Sequence, residues 1–171
     1  MTLTVTADRA TQDLRLGEFL TERGQKVRGL QLRYRVIGNV EAAATNGWIL
    51  AFHSLTGSAE VESWWGPLVG PGRPLDTSKY AILSANLLGS CYGSSGPTEW
   101  RAQHGEPFPE LTPADLARAH LPLLEHLGIH RISLATGGSL GGMVALAWGR
   151  VTEAPTDRVV VFAAPAATSP Q

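Results

Sequence analysis

The sequence GGSLGG at residues 137–142 is the most specific fold signal in this chain. It follows the apolar run 131–136 and precedes a helical pattern over 143–150, so a serine stands between a strand and a helix. A serine at such a tight turn has a strained backbone, and the neighbouring Gly137 and Gly141 leave room for both segments. The pattern predicts a nucleophile elbow with Ser139 as the catalytic nucleophile.

Two other glycine-rich motifs are excluded, because each requires a residue that this sequence lacks at one position. A dinucleotide-binding turn needs glycine where Ser139 stands, and a phosphate-binding loop needs lysine where Met143 stands. A glycine-rich turn with an incidental serine is the remaining alternative.

An oxyanion hole is the second part of the predicted site. The first turn of the helix presents unpaired N–H groups, so the backbone N–H of Leu140 is one predicted donor. The apolar run 48–52 leads into the loop HSLTG at 53–57, and the backbone N–H of Leu55 is the other predicted donor. His53 precedes the nucleophile, which is the wrong order for a base in this fold, so a role in positioning the loop is favoured.

The rest of a catalytic triad is not found. The acid and then the histidine should follow the nucleophile, yet no histidine follows Ser139. Glu153 and Asp157 do follow it, but both lie on the short connection before the sixth strand and are expected at the surface. No triad acid or histidine is therefore assigned in this chain.

Several further motifs, together with the elbow, resemble the homoserine O-acetyltransferases of methionine biosynthesis, which have the α/β-hydrolase fold. The likeness runs from about Val27 to Ala167. Leu140 stands where that family usually has methionine, and Ser54 and Ser90 stand where alanine and glycine are more common. The motifs that carry the resemblance are HSLTG (53–57), WW (64–65), GPG (70–72), LDT (75–77), NLLG (86–89), CYGS (91–94) and GP (96–97).

The resemblance implies transfer of an acetyl group from acetyl-CoA to L-homoserine through an acyl-serine on Ser139. Acetyl-CoA would be a substrate, with no bound cofactor, and the full-length protein is expected to be a homodimer. In the family, further strands that carry the acid and histidine, and a helical cap, follow the sixth strand. The chain is thus expected to hold the front half of the site and to lack appreciable turnover alone.

Three functions stay open. The first is the acetyltransferase, the second is a serine hydrolase or esterase of the same fold or another homoserine or serine O-acyltransferase, and the third is an inactive fragment. The extended motif set favours the first.

Composition excludes several other classes. With 14 basic and 15 acidic residues and no long run of either sign, no nucleic-acid or membrane partner is predicted. No signal peptide or membrane span is recognisable, and one cysteine cannot form an internal disulfide, so a cytoplasmic enzyme is expected. The four-residue spacing of His126 and His130 is broken by Gly128, and no metal site is predicted.

The order of predicted elements indicates an α/β fold. Residues 1–13 are a loose lead-in, and residues 14–171 form a partial α/β-hydrolase domain: an amino-terminal antiparallel hairpin, then a mostly parallel sheet with helices on both faces, truncated after about the sixth strand. A long loop without regular pattern is expected up to Leu111, near the site. A helix from Thr112 to Leu127 is expected to kink at Pro122.

Other residues are given a packing or surface role. Cys91 lies in a loop without an identifiable basic partner. Trp64 and Trp65 could line an acyl or pantetheine channel, but such aromatic residues are as often simply buried. Arg73 and Lys79 are too scattered to define a phosphate site.

Overall fold

The computed structural model describes residues 10–167. In chain order its elements are β1 (Gln12–Arg15), β2 (Phe19–Leu20), β3 (Lys26–Val27), β4 (Gln31–Gly38), α1 (Val40–Asn46), β5 (Trp48–Phe52), α2 (Val61–Trp65), a 3-10 turn (Gly66–Leu68), β6 (Ala81–Ala85), α3 (Pro97–His104), α4 (Pro113–Arg118), α5 (Leu121–Leu127), β7 (Ile132–Gly138), α6 (Leu140–Val151) and β8 (Val159–Phe162).

A six-stranded sheet in the order β1-β4-β6-β5-β7-β8 forms the centre of the fold. The pairs β6-β5, β5-β7 and β7-β8 are parallel, whereas β1-β4 and β4-β6 are antiparallel. The carboxyl ends of β5, β6 and β7 therefore meet at one edge of the sheet, which is where ligands bind in open α/β sheets. The predicted α/β fold, mostly parallel with antiparallel amino-terminal strands, is confirmed.

Helices cover both faces of this sheet. Every residue of β5 and β6 is buried. Leu50 and Phe52 pack into the larger core, which contains residues of α4, α5 and α6, while Ile49 and Ala51 pack into a smaller core with Val61 of α2. Strands that are apolar on both sides are typical of a parallel sheet between two layers of helices.

The amino-terminal hairpin is more interrupted than the sequence suggested. β2 and β3 form a separate two-stranded sheet, closed by a hydrogen bond from the Thr21 N–H to the Gln25 carbonyl. β1 pairs with β4 instead, and Asp13 in β1 binds Arg33 across the pair at 2.7 Å. Most of the predicted lead-in, residues 1–9, lies outside the described residues, but Gln12 and Asp13 belong to a strand.

Two helices were missed from the sequence. α1 is capped at its start by Asn39, whose side chain accepts a hydrogen bond from the Ala42 N–H. α3 lies inside the segment that was expected to be a patternless loop; it starts with Pro97 and ends at Gly105, which has a left-handed backbone with φ of 71°. Only Trp100 of α3 is buried, so the helix has almost no apolar period to detect.

The predicted helix over residues 112–127 is divided into α4 and α5. Thr112 and Asp115 form the expected capping box, each side chain accepting from the other's backbone N–H. The break falls at Ala119 and His120, because Pro122 has no N–H to continue the helical hydrogen bonds. The interruption expected at Pro122 is therefore confirmed, and it divides the helix in two.

β8 is the edge of the sheet on the side of the elbow. Val159 and Val160 are partly exposed, and Phe162 is 48% exposed. Such an apolar edge offers backbone groups and side chains to another chain segment. Among residues 10–167, no helix combines the length and apolar character that a membrane span requires.

Candidate active site

Ser139 occupies a strained turn between β7 and α6. Its backbone has φ of 54° and ψ of −121°, a left-handed conformation that non-glycine residues rarely adopt and that costs on the order of 1–3 kcal/mol. The residue is exposed, and its own carbonyl accepts the Met143 N–H as α6 begins. The turn thus has the strand-turn-helix geometry of a nucleophile elbow, with the serine accessible at its tip.

The glycines of the elbow are required by backbone contacts. A Cβ on Gly137 would lie 2.3 Å from the Gly141 carbonyl oxygen, and a Cβ on Gly141 would lie 2.1 Å from the Phe52 carbonyl oxygen. A Cβ on Gly142 would lie 2.6 Å from the Ala164 Cβ. β5, β7 and α6 therefore approach one another so closely that only glycine fits at the first two positions.

The two candidate oxyanion donors lie on segments that this close approach brings together. Leu140 is the first residue of α6, so its N–H has no acceptor within the helix. Leu55 lies in a turn closed by the Gly57 N–H to Ser54 carbonyl bond, and its side chain is 74% exposed. Neither amide has a hydrogen-bond acceptor in the described part of the chain. The loop leaves β5 directly beside the first turn of α6, as an oxyanion loop requires.

His53 holds this loop in place through both of its ring nitrogens. It is 1% exposed, its Nδ1–H donates to the Ser54 carbonyl at 2.6 Å, and its Nε2 accepts the Leu87 N–H at 2.8 Å. Burial lowers the pKa of the ring, against the opposing effect of the Ser54 carbonyl. A neutral imidazole with both nitrogens engaged cannot take a proton from Ser139, which agrees with the positioning role favoured from the sequence.

Asn86, the first residue of the NLLG motif, holds the other end of the loop, a role that was not predicted from the sequence. It is buried directly after β6, its Oδ1 accepts the Ala59 N–H at 2.5 Å, and its Nδ2 donates to the Tyr92 carbonyl. Together with the Leu87 N–H on His53, it fixes residues 53–59 at both ends. The available signal was an asparagine at the carboxyl end of a buried parallel strand.

Comparison with known proteins agrees with this geometry. The family model described as the alpha/beta hydrolase fold matches residues 47–170. The chain belongs to the α/β-hydrolase fold family. This hydrolase-fold chain is 40% identical over 163 residues to the homoserine O-acetyltransferase of Moorella thermoacetica, covering 87% of this chain and 43% of that protein.

Solved structures give the same fold with two named activities. The homoserine O-acetyltransferase from Staphylococcus aureus matches with a TM-score of 0.77 and 30% identity, over 94% of this chain and 48% of that one. The acetyl esterase MekB matches with a TM-score of 0.79 and 25% identity, over 94% and 46%. The α/β-hydrolase chain thus spans less than half the length of each of these three relatives.

The α2 helix connects the oxyanion loop to the elbow. The Trp64 Nε1–H donates to the Ser58 carbonyl at 3.0 Å, and the Trp65 ring meets Phe162 edge to face with centroids 5.6 Å apart. The Trp65 ring also lies 3.9 Å from the point that a Cβ atom would occupy if Gly138 had one. Both tryptophans are half-buried and pack against the segments that form the two halves of the candidate site.

Acid and base partners for Ser139 are not found in residues 10–167 of this α/β-hydrolase chain. None of the five histidines of the sequence hydrogen-bonds to it. Asp157 binds Arg131 at 2.7 Å, and its N–H donates to Ile132 at the amino end of β7, the opposite end from the elbow. Glu153 is exposed. The two carboxylates therefore have the surface role that the sequence indicated.

The cysteine, cation and histidine candidates from the sequence are not part of the site around Ser139. Cys91 is an exposed free thiol. The Arg73 guanidinium donates to the Val69 carbonyl at 3.0 Å, and Lys79 pairs with Asp76 at 3.4 Å, so both cations have local partners. His126 and His130 are exposed, and no group of three possible metal ligands occurs among residues 10–167.

His120 makes the stability of the fold depend on pH. It is fully buried against Phe52, and its Nδ1–H donates to the Leu116 carbonyl at 2.9 Å. Burial lowers its pKa from 6.5 to about 4, opposed by that hydrogen bond. Between pH 6.5 and 4, His120 is therefore protonated in the unfolded chain but neutral in the folded chain. The free energy of unfolding falls as the pH drops through this range, by up to about 3 kcal/mol.

Urea unfolding between pH 7 and pH 4.5 measures this effect. His120→Asn keeps a donor near the Nδ1 position but does not titrate, so its free energy of unfolding should change less with pH than that of the parent. The same pH slope in both proteins would contradict the assignment to His120.

Proposed function

We propose that this chain supplies the nucleophile and oxyanion hole of a homoserine O-acetyltransferase, which transfers acetyl from acetyl-CoA to L-homoserine. The observation that carries the proposal is the exposed Ser139 in its left-handed turn, beside the amides of Leu140 and Leu55, which have no acceptor within residues 10–167. Relatives with that name are 40% identical over most of the chain, which supports homoserine as the acceptor.

The proposed reaction has two acyl transfers. The Ser139 hydroxyl oxygen attacks the thioester carbonyl, the carbon–sulfur bond breaks, and CoA leaves as the thiol with the proton that serine gives up. The homoserine hydroxyl then attacks the acyl-serine, and its proton returns to Ser139. In both steps the amides of Leu55 and Leu140 bind the negative charge of the tetrahedral intermediate; one such donor is typically worth a hundredfold to a thousandfold in rate.

An acid and a base must complete this site, because a neutral serine is a weak nucleophile. We propose that they come from sequence corresponding to the part of the relatives that this chain does not match. No resident cofactor is needed for the chemistry. The product, an activated homoserine ester, suits methionine biosynthesis in the cytoplasm, and a homodimer is proposed for the complete enzyme.

A second candidate is hydrolysis of acetyl esters. The acetyl esterase MekB has the same fold with a TM-score of 0.79 at 25% identity. The elbow and the oxyanion loop serve water as well as an alcohol acceptor, so the two reactions differ only in the group that attacks the acyl-serine.

A chimera separates these functions. In it, this chain replaces the aligned portion of the Moorella thermoacetica relative, so that Ser139 operates with a complete triad. We expect CoA release from acetyl-CoA to depend on L-homoserine and to yield O-acetylhomoserine. CoA or acetate release at the same rate with and without homoserine would favour the esterase instead.

The chain of 171 residues alone is expected to lack turnover. Without a base for Ser139, acetylation of homoserine should be on the order of 10⁴-fold or more below that of a complete relative. Mass spectrometry of the product after long incubation measures it, with Ser139→Ala as the background. Acetylation above that background by the purified chain would contradict the expectation.

A further inference from the structure

Arg35 is a cation that lies against the smaller core of the fold. It stands two positions before Ile37 in β4, so both side chains point to the sheet face on which that core packs. Only 13% of its side chain is exposed. Its partner in the β4–β6 pair is Ser84, which is 1% exposed and whose hydroxyl makes no hydrogen bond within residues 10–167. A guanidinium in such surroundings requires a partner of opposite charge.

Glu62 in the first turn of α2 is that partner. Its Oε1 lies 3.2 Å from the Arg35 Nη2. The other ion-paired cations of residues 10–167 have side chains that are at least 31% exposed, so Arg35 is the most buried of them. The Arg35 Nε and the Glu62 Oε2 are also buried, and neither has a hydrogen-bond partner in this part of the chain. Removal of one member would therefore leave a largely buried charge unpaired.

The ion pair connects the sheet to a helix that is too short to hold its own position. α2 has five residues, and Glu60 before it makes no side-chain capping bond. A helix of this length is not stable alone, so contacts with the rest of the fold set its orientation. At about 100° per residue, Glu62 and Trp64 lie on opposite sides of the helix, with the buried Val61 between them. Contacts on both sides therefore oppose rotation of α2 about its axis.

We propose that Arg35 and Glu62 are a positioning pair, which fixes the oxyanion loop, residues 53–59, for acyl transfer. On the other side of α2, the Trp64 Nε1–H donates to the Ser58 carbonyl of that loop at 3.0 Å. A rotation of α2 that separates the ion pair also moves Trp64, and with it the loop that carries one candidate oxyanion donor. The effect on rate rests on the proposed acyl transfer, whereas the effect on the placement of the loop does not.

Nuclear magnetic resonance of the chain tests the placement of the loop. The sequence has five tryptophans, and the indole N–H resonance that disappears in Trp64→Phe belongs to Trp64. In Glu62→Gln, which keeps the shape of the side chain without its charge, this N–H should exchange with solvent about tenfold faster or more, because its bond to Ser58 opens more often. Glu60→Gln removes the same charge from an exposed residue that has no ion pair within residues 10–167, and it should leave the exchange rate unchanged. Equal exchange in Glu62→Gln and the parent would overturn the proposal.

Kinetics of the chimera test the effect on rate. Glu62→Gln should lower kcat about tenfold and change KM for acetyl-CoA and L-homoserine by no more than about twofold, because a displaced oxyanion donor weakens binding of the transition state in particular. The same loss is expected in ester hydrolysis if the chimera proves to be an esterase, since both reactions use the loop. A chimera without either activity would count against the proposed function, and the exchange measurement would still decide whether the pair places the loop.

A double variant separates positioning from stability. Arg35→Met combined with Glu62→Gln leaves no unpaired charge beside the core, so its urea midpoint should return close to that of the parent, above that of Glu62→Gln alone. Its kcat should nevertheless stay about tenfold low, and exchange of the Trp64 indole N–H should stay fast, because no ion pair holds α2. Recovery of kcat and of slow exchange together with stability would give the pair a structural role only and overturn the proposal.

Discussion

Replacing Ser139 with alanine in the chimera is expected to lower kcat by about 10⁴-fold or more, because the atom that accepts the acyl group is removed. The fold should tolerate the change, since the residue is exposed and alanine needs no more space. Steady-state release of CoA in the presence of L-homoserine measures the loss, and circular dichroism verifies the fold.

Ser63→Ala is the matched control for this experiment. Ser63 is an exposed serine in α2 whose hydroxyl donates to the Glu60 carbonyl. It should keep kcat within a factor of two or so. A Ser139→Ala chimera with near-parent activity would rule out an acyl-serine at this position.

Replacing Gly141 with alanine is expected to destabilise the fold by about 3 kcal/mol or more. The added Cβ would lie 2.1 Å from the Phe52 carbonyl oxygen and 2.7 Å from the His53 carbonyl oxygen. Both are backbone atoms at the end of a central strand, so no side-chain rotation relieves the clash. Either α6 or β5 must move, and each movement separates the segments that carry the two candidate oxyanion donors.

Urea unfolding followed by tryptophan fluorescence measures this destabilisation. Gly66→Ala is the control, because Gly66 has helical backbone angles and no atom within 4 Å of a Cβ at that position. Its unfolding midpoint should be equal to or slightly above that of the parent. If Gly141→Ala unfolds at the same urea concentration as Gly66→Ala, the close approach of β5 and α6 is not essential.

The sequence predicts the centre of this fold well for a local reason. β5 is a short apolar run and β6 is apolar except for Ser84. The turn at Ser139 requires glycines at fixed distances along the chain, so both signals lie within a few residues. The capping box of Thr112 and Asp115 is equally local. Such patterns need no knowledge of distant neighbours.

Features that depend on distant contacts could not be predicted in the same way. The hydrogen bond between Asn86 and Ala59 joins residues 27 positions apart, and the place of Asn86 at the end of a buried strand does not reveal its partner. β1 is recognisable only through its pairing with β4, and α3 has one buried residue. The order of nucleophile, acid and histidine did indicate, from sequence alone, that His53 is not the base.

The hydrogen bond from the Ser139 N–H to the Phe162 carbonyl, at 3.1 Å, links the outermost strand β8 directly to the elbow. β8 is supported on one side only within residues 10–167, so any polypeptide that pairs with its free side also steadies the peptide that carries the nucleophile. Strand pairing at that free side would therefore restrain the Ser139 turn as well as extend the sheet.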